Sequence, residues 1–445
     1  MRRWCVALAW FAVYLSIGAT AATATEKIFP YTYQETVLDN GLTVVLIPME
    51  SPGIVAYYSI VRTGSRDEYE PGHSGFAHFF EHMMFRGTKK YPGPVYEKLM
   101  TEMGADANAF TSSDITCYHL EVTTDDLEKV MELESDRFQN LSYAEDAFKT
   151  EAGAVHGEYM KSLSSAGFVL RETLLNTAFD KHTYKHTTIG FKQDVEAMPT
   201  MYEYSKSFFN RYYRPENVVL LIVGDIKPDP TLEMVKKYYS GWQKGYVPPQ
   251  VPAEPEQTAA RNAAASFDGR TLPILAVAYK SSGFDPDNIS LAACLLLGEL
   301  AFGETSDLYK KLVLDQQRVQ YLRPGFGPSR DPGLVTIYTM VKDSADVAPV
   351  EQEIYQTIEQ YQATLPNEAR LKDVKSNNRY GFLMGLDTPG NVADALTGLL
   401  AIGGRMDVVD RIYTTMDQVT AEDVMDAAKT FLTKDKRTVV LVEGR

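Results

Sequence analysis

Apolar positions in this chain fall mostly into short continuous runs rather than strict alternation. Leu42 to Pro48 and Ile54 to Arg62 are rich in Val, Ile and Tyr and are bounded by Asn40-Gly41, Pro48 and Gly64. That pattern predicts a pair of strands. A helix over Ser74 to Phe85 follows, then one from about Pro94 to Met103 that Gly104 stops. Strands are expected at Ala107 to Thr111 and Ile115 to Val122, and helices from Asp125 to about Gln139 and from Ala144 to about Ser162. An unbroken apolar run, Asn217 to Gly224, predicts a buried strand, with a helix after it ending near Gly241.

The composition then changes. Prolines at 248, 249, 252 and 255 lead into an Ala-rich run to Ser266, which reads as a linker over 247–266 between an N-terminal domain, 25–246, and a C-terminal domain, 267–445. The second half opens with a strand, Leu272 to Tyr279. It continues through helices at Ile289 to Ala301 and Ser306 to Asp315, a strand at Gly333 to Val341, further helices and a final strand at Thr438 to Val442. Asn217 to Gly224 and Thr438 to Gly444 echo one another at the ends of the two halves, the mark of a duplicated unit.

Charge and composition narrow the function classes. A hydrophobic content of 44% and a charged content of 23% are those of a globular protein, and a net charge of -15 argues against a nucleic-acid-binding surface. The N-terminus has Arg2 and Arg3, an apolar run from Trp4 to Ile17 and small residues to Ala24. Residues 1–24 therefore read as a cleavable secretory signal, and no stable membrane anchor is expected after cleavage. The expected location is the periplasm or the cell exterior. Cys117 and Cys294 lie in different halves, where two buried free thiols are expected ahead of a disulfide.

The strongest chemical signal is His78-Phe79-Phe80-Glu81-His82. On a helix, residues four apart share a face, so both imidazoles are placed to meet one ion. Glu81 stands at the edge of that face, in reach of a water rather than the ion, which is a general base's position. Two packed histidines on a helix are the plain alternative. Further on, Glu151 and Glu158 are seven apart and share one helix face; a solvated acidic face would look the same.

A resemblance sharpens this picture. Leu38-Asp39-Asn40-Gly41-Leu42-Thr43-Val44, Thr63-Gly64-Ser65-Arg66-Asp67-Glu68, Gly75 through Thr88, Asn108-Ala109-Phe110-Thr111 and Tyr213-Arg214-Pro215-Glu216-Asn217 resemble segments of the pitrilysin, insulin-degrading enzyme and mitochondrial processing peptidase family. The resemblance implies an α+β fold of two homologous domains, each a largely antiparallel sheet packed with helices. It implies one Zn²⁺ per chain on His78, His82 and Glu158, with Glu81 activating a water and Glu151 orienting a ligand histidine. Asn108, Ala109 and Phe110 would belong to an edge strand that binds extended peptides.

One departure from the family pattern bears on partners. Ser306 to Val313 resembles a segment in which the family carries an Arg and, seven residues later, a Tyr that contact substrate; here those positions are Val313 and Gln320. Tyr321 is one residue off, and Arg318 and Arg323 are out of step. The expectation is a zinc endopeptidase for short unstructured peptides, paired in a closed chamber with a homologous chain that supplies the Arg and Tyr. A homodimer is the second arrangement. A non-catalytic structural or peptide-binding member is the alternative function.

Overall fold

Asn40 and Gly41 make the first turn: the Asn40 side chain accepts the Leu42 N–H, and Gly41 takes φ +89°, so the chain reverses into a buried strand. The computed structural model describes residues 27–445, and the signal-like segment 1–24 lies outside them. The first half builds one sheet from β1 (Gln34–Val37), β2 (Thr43–Pro48), β3 (Ile54–Val61), β4 (Asp106–Thr111), β5 (Thr116–Thr123) and β6 (Val218–Gly224). Their order is β1-β2-β6-β3-β5-β4, antiparallel except for the β2–β6 pair. The second half builds another from β7 (Arg261–Phe267), β8 (Ile274–Lys280), β9 (Val319–Gly325), β10 (Leu334–Val341) and β11 (Arg437–Gly444), in the order β7-β11-β8-β10-β9.

The echo between the two apolar runs is a structural equivalence. β6 pairs in parallel with β2 and antiparallel with β3; β11 pairs in parallel with β7 and antiparallel with β8. The expected α+β architecture of two related units is therefore present. β4 and β9 occupy corresponding open edges of their sheets.

The linker reading needs correction at its end. Residues 261–267 are β7, not coil, because Ala263, Ala265 and Phe267 alternate onto the face covered by the helix Ala166–Ala178. Small side chains let that helix approach closely, and the same Ala-rich composition mimics a flexible segment. Upstream, Glu254 is anchored rather than free: its carboxylate accepts the N–H groups of Asp180, Lys181 and His182.

The halves also exchange helices. Leu170 and Leu174, from the first half, pack on Ile274, Ala276 and Val440 of the second sheet. In return Val392, Leu396 and Leu400 of the helix Pro389–Gly403 pack on Val45, Tyr58 and Leu221 of the first. Each buried leucine contributes roughly 1.5–3 kcal/mol, so neither sheet has its outer face covered without the other half.

Two further differences concern the second half. The helix expected over Ser306 to Asp315 is a short α-turn followed by a π-helical segment, Lys310–Asp315. The stretch 289–315 is long and apolar enough to cross a membrane, but most of it is buried within the second core. Cys117 and Cys294 are buried and unpaired, as expected.

Candidate metal centre

The motif helix spans Phe76–Met83, two residues shorter at each end than the sequence suggests. Gly75 sets its start with φ +95°, where a Cβ would stand 2.5 Å from the Ile189 carbonyl oxygen. Glu68, fully buried, accepts the N–H groups of Gly75 and Ala77 at 2.7 Å each and so satisfies donors that a helix start leaves open. Phe76, Phe79, Phe80 and Met83 are buried against the first core, which leaves His78, Glu81 and His82 on the remaining face.

The helix Glu145–Ser162 lies against this one, with Phe148 packed edge-on to Phe79 at 5.0 Å between ring centroids. That contact brings its two carboxylates over the histidines. His78 Nε2 and His82 Nε2 are 3.3 Å apart, and Glu158 Oε2 stands 3.6 Å from the first and 3.4 Å from the second. Ligands about 2.0–2.1 Å from a tetrahedral zinc are separated by roughly 3.3 Å. The three donors therefore fit the ion, and they form the one such group of three or more metal-ligating side chains among the described residues.

Charge is arranged around the donors. Burial pushes the His78 imidazolium down to about 4, so this ring is neutral and ready to ligate. His82 is held up at about 9, chiefly by its hydrogen bond to Glu151 and then by Glu158. Glu151 reaches His82 Nδ1 at 2.9 Å, while its other oxygen accepts from Arg86 Nε at 2.6 Å. This is the contact that the expected orienting role requires, since a bond at Nδ1 would fix the tautomer that leaves Nε2 for metal. Burial raises Glu81, and a hydrogen bond from Thr111 works the other way. A cavity of about 310 Å³ opens beside these groups, lined by Glu81, His82, Phe85, Arg86, Glu97 and Glu151.

The edge-strand residues divide between two faces. Ala109 is buried in the first core, whereas Asn108 and Phe110 are exposed on the other side of β4. Asn108 Oδ1 accepts the Ala109 N–H at 2.9 Å, on a strand that among the described residues pairs only with β5. Other histidines stay out of the centre: His73 stacks on Tyr204 and His119 on Tyr58.

In the second half Val313 packs against the second core and Gln320 is exposed, so neither offers a cation or a phenol. The pairing of β9 is irregular at this point. Val319 faces Val341 and Tyr321 faces Met340, so Gln320 is taken up in a β-bulge. Tyr321 carries Arg323 over its ring, 5.0 Å from the centroid. Arg86 and Thr111 are the neighbours of the centre that sequence reasoning did not single out; both lie inside the quoted motif segments, but nothing in their spacing signals these contacts.

Comparison with known proteins finds peptidase relatives over most of the chain. Residues 45–192 match the domain described as insulinase (peptidase family M16), and residues 201–378 match the peptidase M16 inactive domain. The zinc protease PqqE of Helicobacter pylori is 28% identical over 416 residues, covering 92% of each chain. The mitochondrial-processing peptidase subunit beta of Bos taurus is 26% identical, covering 92% of this chain and 84% of that one. The crystal structure of a protease from Helicobacter pylori superposes with a TM-score of 0.86 at 25% identity, over 93% of this chain and 99% of that one.

Proposed function

Because the chain belongs to the insulinase (M16) peptidase family, we propose that it is a zinc metalloendopeptidase that cleaves short, unstructured peptides. The observation that carries this reading is the triangle of His78 Nε2, His82 Nε2 and Glu158 Oε2, with edges of 3.3–3.6 Å, beside Glu81. Zinc held there supplies Lewis acidity to the scissile carbonyl and acidifies water. Glu81 receives the water's proton and returns it to the leaving amine. Glu151 keeps Nδ1 of His82 engaged throughout, so that Nε2 faces the ion. An extended peptide adds to the open edge of β4 through main-chain hydrogen bonds, a mode that suits chains without fixed structure. The N-terminal segment favours a periplasmic or secreted location.

A homologous partner chain completes the proposal. Val313 and Gln320 stand where the family's Arg and Tyr are expected, so those groups come from the partner of a heterodimer. A relative whose name marks it as a subunit, the beta subunit of mitochondrial-processing peptidase, is in keeping with this. A homodimer is the second reading, favoured by the bulge at Gln320: it puts Tyr321 where an unbulged strand would carry residue 320.

The test combines metal analysis with a quenched peptide. One zinc per chain, with hydrolysis that Glu81→Gln abolishes while zinc is retained, is the expected result. A chain that binds no zinc overturns the reading. Zinc without hydrolysis, even after a homologous partner is added, leaves a peptide-binding or structural role. Full activity of this chain as a homodimer removes the heterodimer.

A further inference from the structure

Thr111 closes β4, and its Oγ1 donates to Glu81 Oε2 at 2.6 Å. We propose that Thr111 is a positioning residue for Glu81: it holds the carboxylate beside the metal centre as a base and keeps it from becoming a fourth protein ligand. The inference deepens the peptidase reading and rests on it.

The need for such a group follows from the chemistry of the face. Glu81 shares its helix with two imidazoles that converge on an open site, and a free carboxylate there would rotate onto the ion. Four protein ligands make a closed, structural site; three leave the position that catalysis requires. Glu81 stands outside the His78, His82 and Glu158 cluster. A hydroxyl that pins one oxygen toward β4 accounts for this with a single bond.

Thr111 is itself firmly placed. It pairs with Thr116 across the hairpin, and the turn beyond it is docked on the loop before the motif helix: Ser112 O accepts from Ser65 N and Ser113 O from Arg66 N. Gly64 permits that approach, since a Cβ there would lie 2.4 Å from the Ser112 oxygen. The second half buttresses the same turn. Arg330 donates to the Asp114 carbonyl at 2.8 Å, and Asp331 accepts from Arg66 Nε at 2.6 Å. The anchor of Glu81 is thus tied to both domains.

The placement also has a consequence for the substrate. The strand whose open edge receives the peptide ends in the residue that holds the base, so one rigid element sets the distance between scissile bond and carboxylate. A displacement of about 1 Å in such a pair is enough to lower turnover on the order of 100-fold.

Thr111→Val keeps the β-branched shape that suits a strand and removes only the donor; Thr111→Ser keeps the donor. Two measurements decide. With cobalt(II) in place of zinc, the visible absorption of Thr111→Val should weaken and shift as Glu81 joins the ion, and Thr111→Ser should restore the wild-type spectrum. With a quenched peptide, kcat of Thr111→Val should fall roughly 10- to 100-fold with KM within about twofold, and Thr111→Ser should recover it. A wild-type spectrum in Thr111→Val overturns the inference whether or not any of the proteins hydrolyses peptide. Absence of hydrolysis by the wild-type chain with its partner sinks the peptidase reading, while the cobalt spectra still decide what Thr111 does. Should the valine variant not fold, Thr111→Ala against Thr111→Ser gives the same contrast.

Discussion

Glu151 and His82 form the contact that holds the imidazole ring in place: Oε1 lies 2.9 Å from Nδ1, and the carboxylate is 6% exposed. Its second oxygen is occupied by Arg86, so the carboxylate is fixed at both ends. Replacing Glu151 by Gln leaves an amide of similar shape that no longer holds the ring in one tautomer. Zinc affinity should fall by roughly 10- to 100-fold, read by competition with a chromophoric chelator, with the circular dichroism spectrum unchanged.

Zinc should stabilise the folded chain by mass action. At free zinc near 100 times its dissociation constant, the gain is about 2.7 kcal/mol. Calorimetry with and without a chelator should show the shift in the wild-type protein and none in His82→Ala. An equal shift in that variant would place the ion elsewhere.

The exchanged helices should make the two halves unfold together. Trp242 is the single tryptophan among residues 27–445, and it is buried in the first core. Leu396 belongs to the second half, is fully buried, and covers the first sheet. Leu396→Ala should therefore lower the unfolding free energy that Trp242 fluorescence reports in urea by about 2–5 kcal/mol. A transition that Trp242 does not register would show that the halves fold separately.

Lys280 provides a pH signature. Burial lowers it to about 8, against the attraction of Glu254, which lies 3.2 Å away. Between about 8 and its ordinary value of 10.5 the unfolded chain binds more protons at this site than the folded one, so stability rises with pH across that window. Below it both states hold the proton and the slope vanishes. Lys280→Met should remove this contribution: the difference in urea midpoint between variant and wild type should narrow in the wild type's favour as pH climbs from 8 to 10.5. A difference that stays constant would exclude the linkage.

Much of the centre was legible because its signal is local. His78 and His82 are four apart on a helix whose other positions are apolar, and one turn of periodicity suffices to put both imidazoles together. Glu158 was not legible in this way. Its helix also carries Glu145, Asp146 and Glu151, and spacing cannot rank four acids; only the family resemblance singled it out, and only the packing of Phe148 on Phe79 brings it to the ring nitrogens. The Ala-rich run at 261–267 misled for a related reason, because small side chains serve both a flexible segment and a strand under a close helix.

By itself the sequence determined most of the strands, though not β1, β7 or β9, together with the motif helix, the echo between the halves and the chemistry of the candidate ligands, since these show in local runs of the chain. Tertiary structure decided which carboxylate meets the histidines, that Thr111 holds Glu81, that a bulge absorbs Gln320, and that each half covers the other's sheet. Those contacts join residues from 19, for Tyr321 and Met340, to more than 300 positions apart. A pattern of burial says that a side chain needs a partner, and only the packed chain supplies which one.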